Sequence, residues 1–344
     1  MRRASQALAW RLWRGELGFA GSLLGVALWP LSGIWRLVTW ARNRRYDRAP
    51  ESAVDGLTVL SVGNLAVGGT GKTPLTSWVA RAVSATGHHP AVVLRGYGQD
   101  EVMLHRAWTP TVPVIAGRDR RAAAAEARVQ GADVVVLDDG FQHRRLARTL
   151  DVVLLAVEDP FPGPLLPRGP YREPACALAR ADIIIFTRRK ATEAQARELE
   201  GRVRRLLSNV APTTASVHLA PGSLRTMTPA GMTDHIAVRD PLVVTAVARP
   251  HAVLEDARRR TGAGAELMAF EDHHEFSEAE TRAIRTRAGE RPILVTEKDA
   301  VKLAPFAPLL GEVAVMTQEL RWDWGEQTVL DHIAEAVTGA GSDP

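Results

Sequence analysis

"VGNLAVGGTGKTP", Val62 to Pro74, is the stretch on which the fold of this chain turns. It ends in Gly-Lys-Thr after a run of glycines, as a phosphate-binding loop does. The full pattern G-x-x-x-x-G-K-[ST] would put a glycine where this chain has Ala66. The flanks decide the matter. "LTVLSVG" (Leu57–Gly63) reads as a buried strand and Thr73–Ala85 as a helix, and strand, glycine-rich turn, helix is the context a nucleotide loop needs. There the backbone N–H groups of Gly68 to Thr73 can point at phosphate oxygens, reinforced by the helix N-terminus. Lys72 would reach the β- and γ-phosphates and the Thr73 hydroxyl would ligate Mg²⁺. Pro74 falls in the first helical turn, where a missing N–H costs little. Ala66 is tolerable if its φ stays negative. With Val67, Gly68, Gly69, Thr70 and Gly71 it completes the expected nucleotide-binding set.

Outward from the loop, short apolar runs alternate with helical stretches, which argues for parallel βαβ units. "PAVVLRGYG", "ADVVVLDDG", "DVVLLAV" and "DIIIFTR" read as strands, and "RDRRAAAAEARVQ" and "EAQARELEGRVRRLLSN" as helices. A phosphate loop also needs an acidic residue at the end of a neighbouring strand to hold Mg²⁺. "VVVLDDG" supplies Asp138 and Asp139. "EDPFPGPLLPRGPYREP" (158–174) is too rich in Pro and Gly for regular structure, and a loop that long inside a compact domain is usually functional. "TTASVHLAPG" with "LRTMTP" looks like an extended, ribbon-like link. A second set of strands follows at "PLVVTAVARP", "AELMAFEDHHEF" and "RPILVTEKDA", with helices at "HAVLEDARRR" and "SEAETRAIRTRAG". The expected organisation is an N-terminal membrane-anchoring region at 1–45, a nucleotide-binding domain at 46–220 and a second α/β domain at 221–344.

Bulk composition fits. The 344 residues exceed one typical domain, and 46% hydrophobic with 24% charged content describes a globular protein. Basic charge is almost all arginine: the four lysines are Lys72, Lys190, Lys298 and Lys302. A net charge of +4 with few interleaved aromatics beyond the N-terminal region argues against a nucleic-acid partner. The single cysteine, Cys176, excludes an internal disulfide and a thiolate cluster, and suits a reducing, cytoplasmic environment. Leu17 to Trp35 carries no charge and lies between two basic, Trp-containing flanks. That length is near the lower limit of roughly 17 residues for a bilayer crossing. Pro30, Gly25, Gly33 and the tryptophans suit a helix that lies in the membrane interface or dips into it. A buried core helix is the other reading.

"VGNLAVGGTGKTP", "RGYG" (95–98), "DDGFQHRRLARTLD" (138–151), "LPRGPYRE" (166–173), "FEDHHEF" (270–276) and "TEKDAVKL" (296–303) occur in this order. Together they resemble the tetraacyldisaccharide 4'-kinases, the lipid A 4'-kinases, from the N-terminal anchor to about residue 303. That resemblance implies two α/β/α domains joined by a two-stranded linker, the first a P-loop NTPase-like parallel sheet, with an N-terminal membrane helix. It implies transfer of the ATP γ-phosphate to the 4'-hydroxyl of a tetraacylated glucosamine disaccharide 1-phosphate, giving lipid IVA at the cytoplasmic face of the inner membrane. ATP and Mg²⁺ are the implied cofactors, and the lipid and the membrane surface the implied partners, with no obligate protein partner.

The family's catalytic Asp sits in a G-D-E-P segment, contracted here to "QDEV", which carries the base role to Asp100 and a supporting role to Glu101. The family's D-H motif, which pairs a His with this Asp, falls on Asp272-His273, with His274 as its neighbour. Gln142 and His143 could orient Mg²⁺, ATP or substrate. Glu173 could join the Mg²⁺ network or pair with Arg172. Arg172, Arg168, Arg144 and Arg145 could hold the substrate's 1-phosphate, since guanidinium forks suit phosphate. "TEKDAVKL" could contact nucleotide or support the cleft. The competing reading is a membrane-associated P-loop ATPase or switch protein acting through protein partners. It explains the anchor, the loop and the Asp pair but not the D-H motif.

Overall fold

The structure, a computed structural model, describes residues 8–9, 11–13, 15–48, 52–96, 99–234, 237–247, 250–272 and 274–339. The chain folds as two compact units. The first is Met1–Arg95, Ile115–His218 and Trp322–Pro344; the second is Gly96–Val114 and Leu219–Arg321. This differs from a single cut near residue 220. Segment 96–114 groups with the second unit, and the C-terminal segment from Trp322 returns to the first.

The first unit begins with two helices, α1 (Gly18–Ala27) and α2 (Trp29–Arg48), bent by 49° at Leu28. Pro30 accounts for the break. It has no N–H to donate, and its ring would clash with the carbonyl of Val26 in a continuous helix. No single helix among the described residues is long and apolar enough to cross a membrane; only this bent pair passes that test jointly. The core is a sheet in the order β7-β6-β5-β1-β4-β2-β3: β1 (Thr58–Asn64), β2 (Pro90–Leu94), β3 (Val114–Ala116), β4 (Val134–Asp138), β5 (Leu150–Ala156), β6 (Ile183–Arg188) and β7 (Thr213–Thr228). The pairs from β7 through β2 are parallel. Val59, Val93, Val135 and Leu137 pack on the alanines of one helix, 120–129, and helix 193–206 closes a second cluster with Phe141 and Phe186. Helix α3 (Lys72–Ala85) lies against β1, β2 and β4, and the C-terminal helix (Glu326–Gly339) packs on α3.

Central strand β1 is flanked by β4 and β5, neither its sequence neighbour. Chain passing over β4 to reach β2, then back across β1 to reach β5, leaves the loops after β1 and β4 together at the carboxyl edge. Ligands of open α/β sheets bind in that crevice.

The second unit has the order β10-β9-β11-β12: β9 (Leu242–Thr245), β10 (Glu266–Ala269), β11 (Ile293–Thr296) and β12 (Val313–Trp324), with parallel pairs throughout. β7 and β12 each contribute residues to both units. The end of β7 folds back as an antiparallel hairpin with β8 (Gly231–Asp234). Strand β3, strand β12, the helix after β11 (read as the end of a strand in "RPILVTEKDA") and the 96–114 segment are elements the sequence reading did not delimit. The latter is helix α4 (Gln99–Trp108), packed on helix α5 (Glu297–Leu303).

Candidate active site

The first unit carries the glycine-rich loop between β1 and α3. Gly71 is the α3 N-cap at φ 91°, a left-handed conformation that a side chain would strain, and no side chain caps the helix. The first-turn N–H groups therefore remain to be met by an anion. Asn64, fully buried at the end of β1, donates to the Thr70 hydroxyl at 2.8 Å and fixes the loop from below. Lys72 folds back over the loop, its Nζ 3.4 Å from the Gly68 carbonyl.

Ala66 is not among the residues with positive φ, and its side chain is buried. It and its neighbour belong to the wall of the loop rather than its cradle. Ala66 bridges to Tyr171, and the Val67 N–H donates to the Pro170 carbonyl at 2.8 Å, which removes that donor from the expected phosphate set. The Arg172 N–H donates to Leu65 O at 2.7 Å, so the Pro-rich segment is stitched along the outside of the phosphate loop.

Asp138 ends β4 and pairs in register with Val62 of β1, which carries it to the mouth of the loop. Asp139 follows at φ 57°, a left-handed conformation that Asp tolerates better than most residues. Its carboxylate lies 3.7 Å from Lys72 Nζ and accepts from Arg172 Nη1 at 2.9 and 3.0 Å. Burial would push this carboxyl up, but Lys72 and Arg172, with Arg120 beyond them, outweigh it and hold it below the usual carboxylate range. Arg120 is almost fully buried at the start of its helix, and in the sequence it reads only as one arginine of "RDRR".

Gln142 donates to the Asn64 carbonyl at 2.7 Å and accepts from Arg172 at 3.2 Å, so it braces Arg172 against β1. The His143 N–H donates to Gly140 O at 2.8 Å; burial, then Arg120, lower the imidazole below the ordinary histidine value and keep it neutral near pH 7. Thr73 occupies the first turn of α3.

Glu173 pairs with arginines other than the expected Arg172. It is fully buried, with Oε1 accepting from Arg42 at 2.9 Å and Oε2 from Arg180 at 2.7 Å and Asn43 at 3.3 Å. Both oxygens are committed to holding α2. Trp35 Nε1 donates to Arg172 O and Ser32 Oγ to Leu165 O, each at 3.0 Å, and Arg144 pairs with Asp47 at 2.7 Å. The arginines expected to receive a lipid phosphate are thus divided: Arg144 and Arg172 have protein partners.

The second unit holds Asp100, in the first turn of α4 and 3% exposed, not in a loop. Its Oδ1 accepts the Glu101 N–H at 3.1 Å, and its Oδ2 lies 3.1 Å from Lys298 Nζ. Lys298 also reaches Asp272 at 3.4 Å. His273 lies outside the described residues. The His274 ring pairs with Glu280 at 3.0 Å and stacks on Phe270, a structural placement. Trp108 is the residue of this cluster for which sequence reasoning assigned no role. Lys298 entered it only through "TEKDAVKL", whose role was left open between nucleotide contact and support of the cleft, and as one of four lysines in an arginine-rich chain.

The tetraacyldisaccharide-1-P 4'-kinase family model matches residues 24–102 and 98–338. The chain is similar to the tetraacyldisaccharide 4'-kinase of Anaeromyxobacter dehalogenans (strain 2CP-1 / ATCC BAA-258), 37% identical over 330 residues and 85% of each chain. It is similar to that of Syntrophus aciditrophicus (strain SB) at 34% over 324 residues, covering 83% of this chain and 86% of the relative. Among solved structures it matches LpxK from Aquifex aeolicus in complex with ATP, at a TM-score of 0.71 and 22% identity, over 91% of this chain and 99% of that one. At that identity the likeness speaks for the fold.

Proposed function

This chain belongs to the tetraacyldisaccharide-1-P 4'-kinase family, and from that premise we propose that it transfers the γ-phosphate of ATP to the 4'-hydroxyl of a tetraacyldisaccharide 1-phosphate, giving lipid IVA. The observation that carries the reading is the acidic pair after β4 set beside a glycine loop with its lysine, Lys72 lying 3.7 Å from Asp139.

The residues divide the reaction between them. The N–H groups of Gly68, Gly69, Gly71, Lys72 and Thr73 cradle the phosphates, the Thr70 N–H being turned to the Gly68 carbonyl at 3.1 Å, and Lys72 exchanges Asp139 for the β- and γ-oxygens when nucleotide arrives. Thr73, Asp138 and Asp139 offer a hydroxyl and two carboxylates, hard oxygen donors that fit a Mg²⁺ completed by water and phosphate. Bound there, the ion would neutralise charge on the phosphates. Arg172, braced by Gln142, keeps Asp139 ionised and aimed. Asp100 takes the proton of the attacking hydroxyl: the sugar O–H bond breaks, its electron pair goes to the γ-phosphorus, and the P–O bond to ADP breaks. Glu101 supports Asp100 through its backbone N–H, and His273 is the partner the family's D-H motif assigns. Most of the rate comes from positioning and electrostatics.

The exposed apolar side chains of α1 and α2, among them Phe19, Val26, Trp29, Ile34 and Leu37, support seating in a membrane interface, which we place at the cytoplasmic face of the inner membrane. Incubation with ATP, Mg²⁺ and tetraacyldisaccharide 1-phosphate in detergent should yield a bisphosphorylated lipid. Lys72→Met should lower kcat by about a hundredfold or more. ATP hydrolysis with no lipid product would sink the kinase reading and favour a switch ATPase.

A further inference from the structure

We propose that Lys298 is the residue that positions the proton-accepting carboxylate of Asp100, clamping it between α4 and α5. The inference rests on the reading of Asp100 as the base. Lys298 Nζ stands 3.1 Å from Asp100 Oδ2 and 3.4 Å from Asp272 Oδ1, an ammonium between two carboxylates. The Glu101 N–H holds the other Asp100 oxygen, so both oxygens have a donor and the plane of the carboxylate is set.

The side chains beside Lys298 are fixed as firmly. Glu297 Oε1 accepts the Trp108 indole N–H at 2.9 Å, and its Oε2 accepts the Gln318 N–H at 2.9 Å. Asp299 is fully buried; it accepts from the Thr245 and Thr296 hydroxyls, each at 2.7 Å, and from the Ala246 N–H at 2.9 Å. Three consecutive residues of "TEKDAVKL" thus face three ways. Glu297 ties the C-terminal end of α4, Lys298 its N-terminal end, and Asp299 fixes the rotation of α5 on β9. A motif whose role the sequence left open is the mount of the base.

Lysine suits the place. The chain otherwise uses arginine heavily, with four lysines among 43 basic residues. A compact ammonium fits between two carboxylates, where a planar guanidinium would need them further apart. Burial pulls Lys298 down, but Asp272 and Asp100 outweigh it and hold the ammonium above the ordinary lysine range, so it remains a cation. Among the described residues, the charged and titratable groups on these elements are Asp100, Glu101, His105 and Arg106 on α4, Asp272 on the loop before the next helix, and Glu297, Asp299 and Lys302 on α5. Lys302 lies 3.8 Å from Asp299 and donates to the His274 carbonyl.

Three variants test this. Lys298→Met should lower kcat by roughly ten- to a hundredfold with KM for ATP and for lipid nearly unchanged. The acid limb of its kcat–pH profile should move to higher pH by about one unit or more, since a nearby cation favours the carboxylate. Lys298→Arg should recover part of the loss. Asp272→Asn should move the acid limb the opposite way, because it removes an anion that offsets the ammonium. A raised KM for ATP at normal kcat would make Lys298 a phosphate ligand and overturn the clamp. A kcat loss with an unmoved acid limb would reduce it to a packing residue. If Lys298→Met does not fold, an unmoved limb in Asp272→Asn overturns the proposal. Failure of the base reading is separate: it would show as normal turnover in Asp100→Ala, whereas failure of the clamp alone leaves Asp100→Ala impaired.

Discussion

Glu173 illustrates what one buried charge does in this protein. Its carboxylate has no solvent exposure, while its partners Arg42 and Arg180 are 37% and 21% exposed. Removing it would leave two guanidinium groups facing each other across a cavity. Breaking a buried pair costs about 3–5 kcal/mol, less here because Arg42 is partly screened by water. Glu173→Ala should therefore lower unfolding free energy by about 2–4 kcal/mol in chemical denaturation; a loss within error of zero would show that the triad contributes nothing. The residue was legible in the sequence only as an acid beside a conspicuous loop. Its partners Arg42, Asn43 and Arg180 lie far from it or look like ordinary surface arginines, and nothing in local spacing announces them. Asp138, Asp139 and Lys72 were legible, because each follows directly from a strand end or a glycine loop, where position in the fold and position in the sequence coincide.

At the scale of elements, β1 and its loop are held by a close approach. A Cβ on Gly63 would lie 2.5 Å from Phe141 Cβ and 2.8 Å from its backbone nitrogen. Neither can retreat, because Phe141 is fully buried in the cluster of helix 193–206. Gly63→Ala should cost about 1–3 kcal/mol and loosen the phosphate loop one turn away, seen as a lower Tm together with weaker ATP binding. A variant with wild-type Tm would refute the packing argument. The helix pair α1–α2 makes a second element-scale case. Large apolar side chains such as Phe19 (80%) and Val26 (70%) point outward, and Trp35 and Ser32 reach inward to the Pro-rich loop. Deleting residues 1–40 should abolish sedimentation with phospholipid vesicles, and continued pelleting would show that the anchor lies elsewhere. The regular βαβ elements were readable because each carries its own hydrophobic period. Helix α4 was not, since ten residues starting "QDEV" beside a glycine turn read equally well as a loop. Strand β12 was not, because "VAVMTQELRWDW" alternates weakly and has charged residues in its second half.

For the whole molecule, stability should depend on pH through Asp151. This residue sits on β5, 7% exposed; burial pushes its carboxyl up to about 6, against the opposing pull of Arg148 at 3.1 Å. A raised carboxyl favours the folded state when protonated. Its contribution is complete below the unfolded value near 3.8 and is lost as pH climbs through about 6. Asp133 and Asp139 are lowered instead, so they change below that window, where stability falls with falling pH. Asp151→Asn should therefore flatten the slope of unfolding free energy between about pH 4 and 6, and a slope identical to wild type would refute the assignment. The chain alone determined the parallel α/β class, the strand–loop–helix context of the glycine loop and the acidic strand end, and its six motifs in order carried the family resemblance. The first three are set by local period, by glycine and by strand-end chemistry, each written within a short stretch of chain. Tertiary structure decided that Glu173 is buried between Arg42 and Arg180, that Asp100 belongs to the second unit, and that Lys298, 198 positions away, grips it. Those facts depend on buried charges finding partners across long stretches of chain, and desolvation, which selects such partners, acts only once the chain has folded.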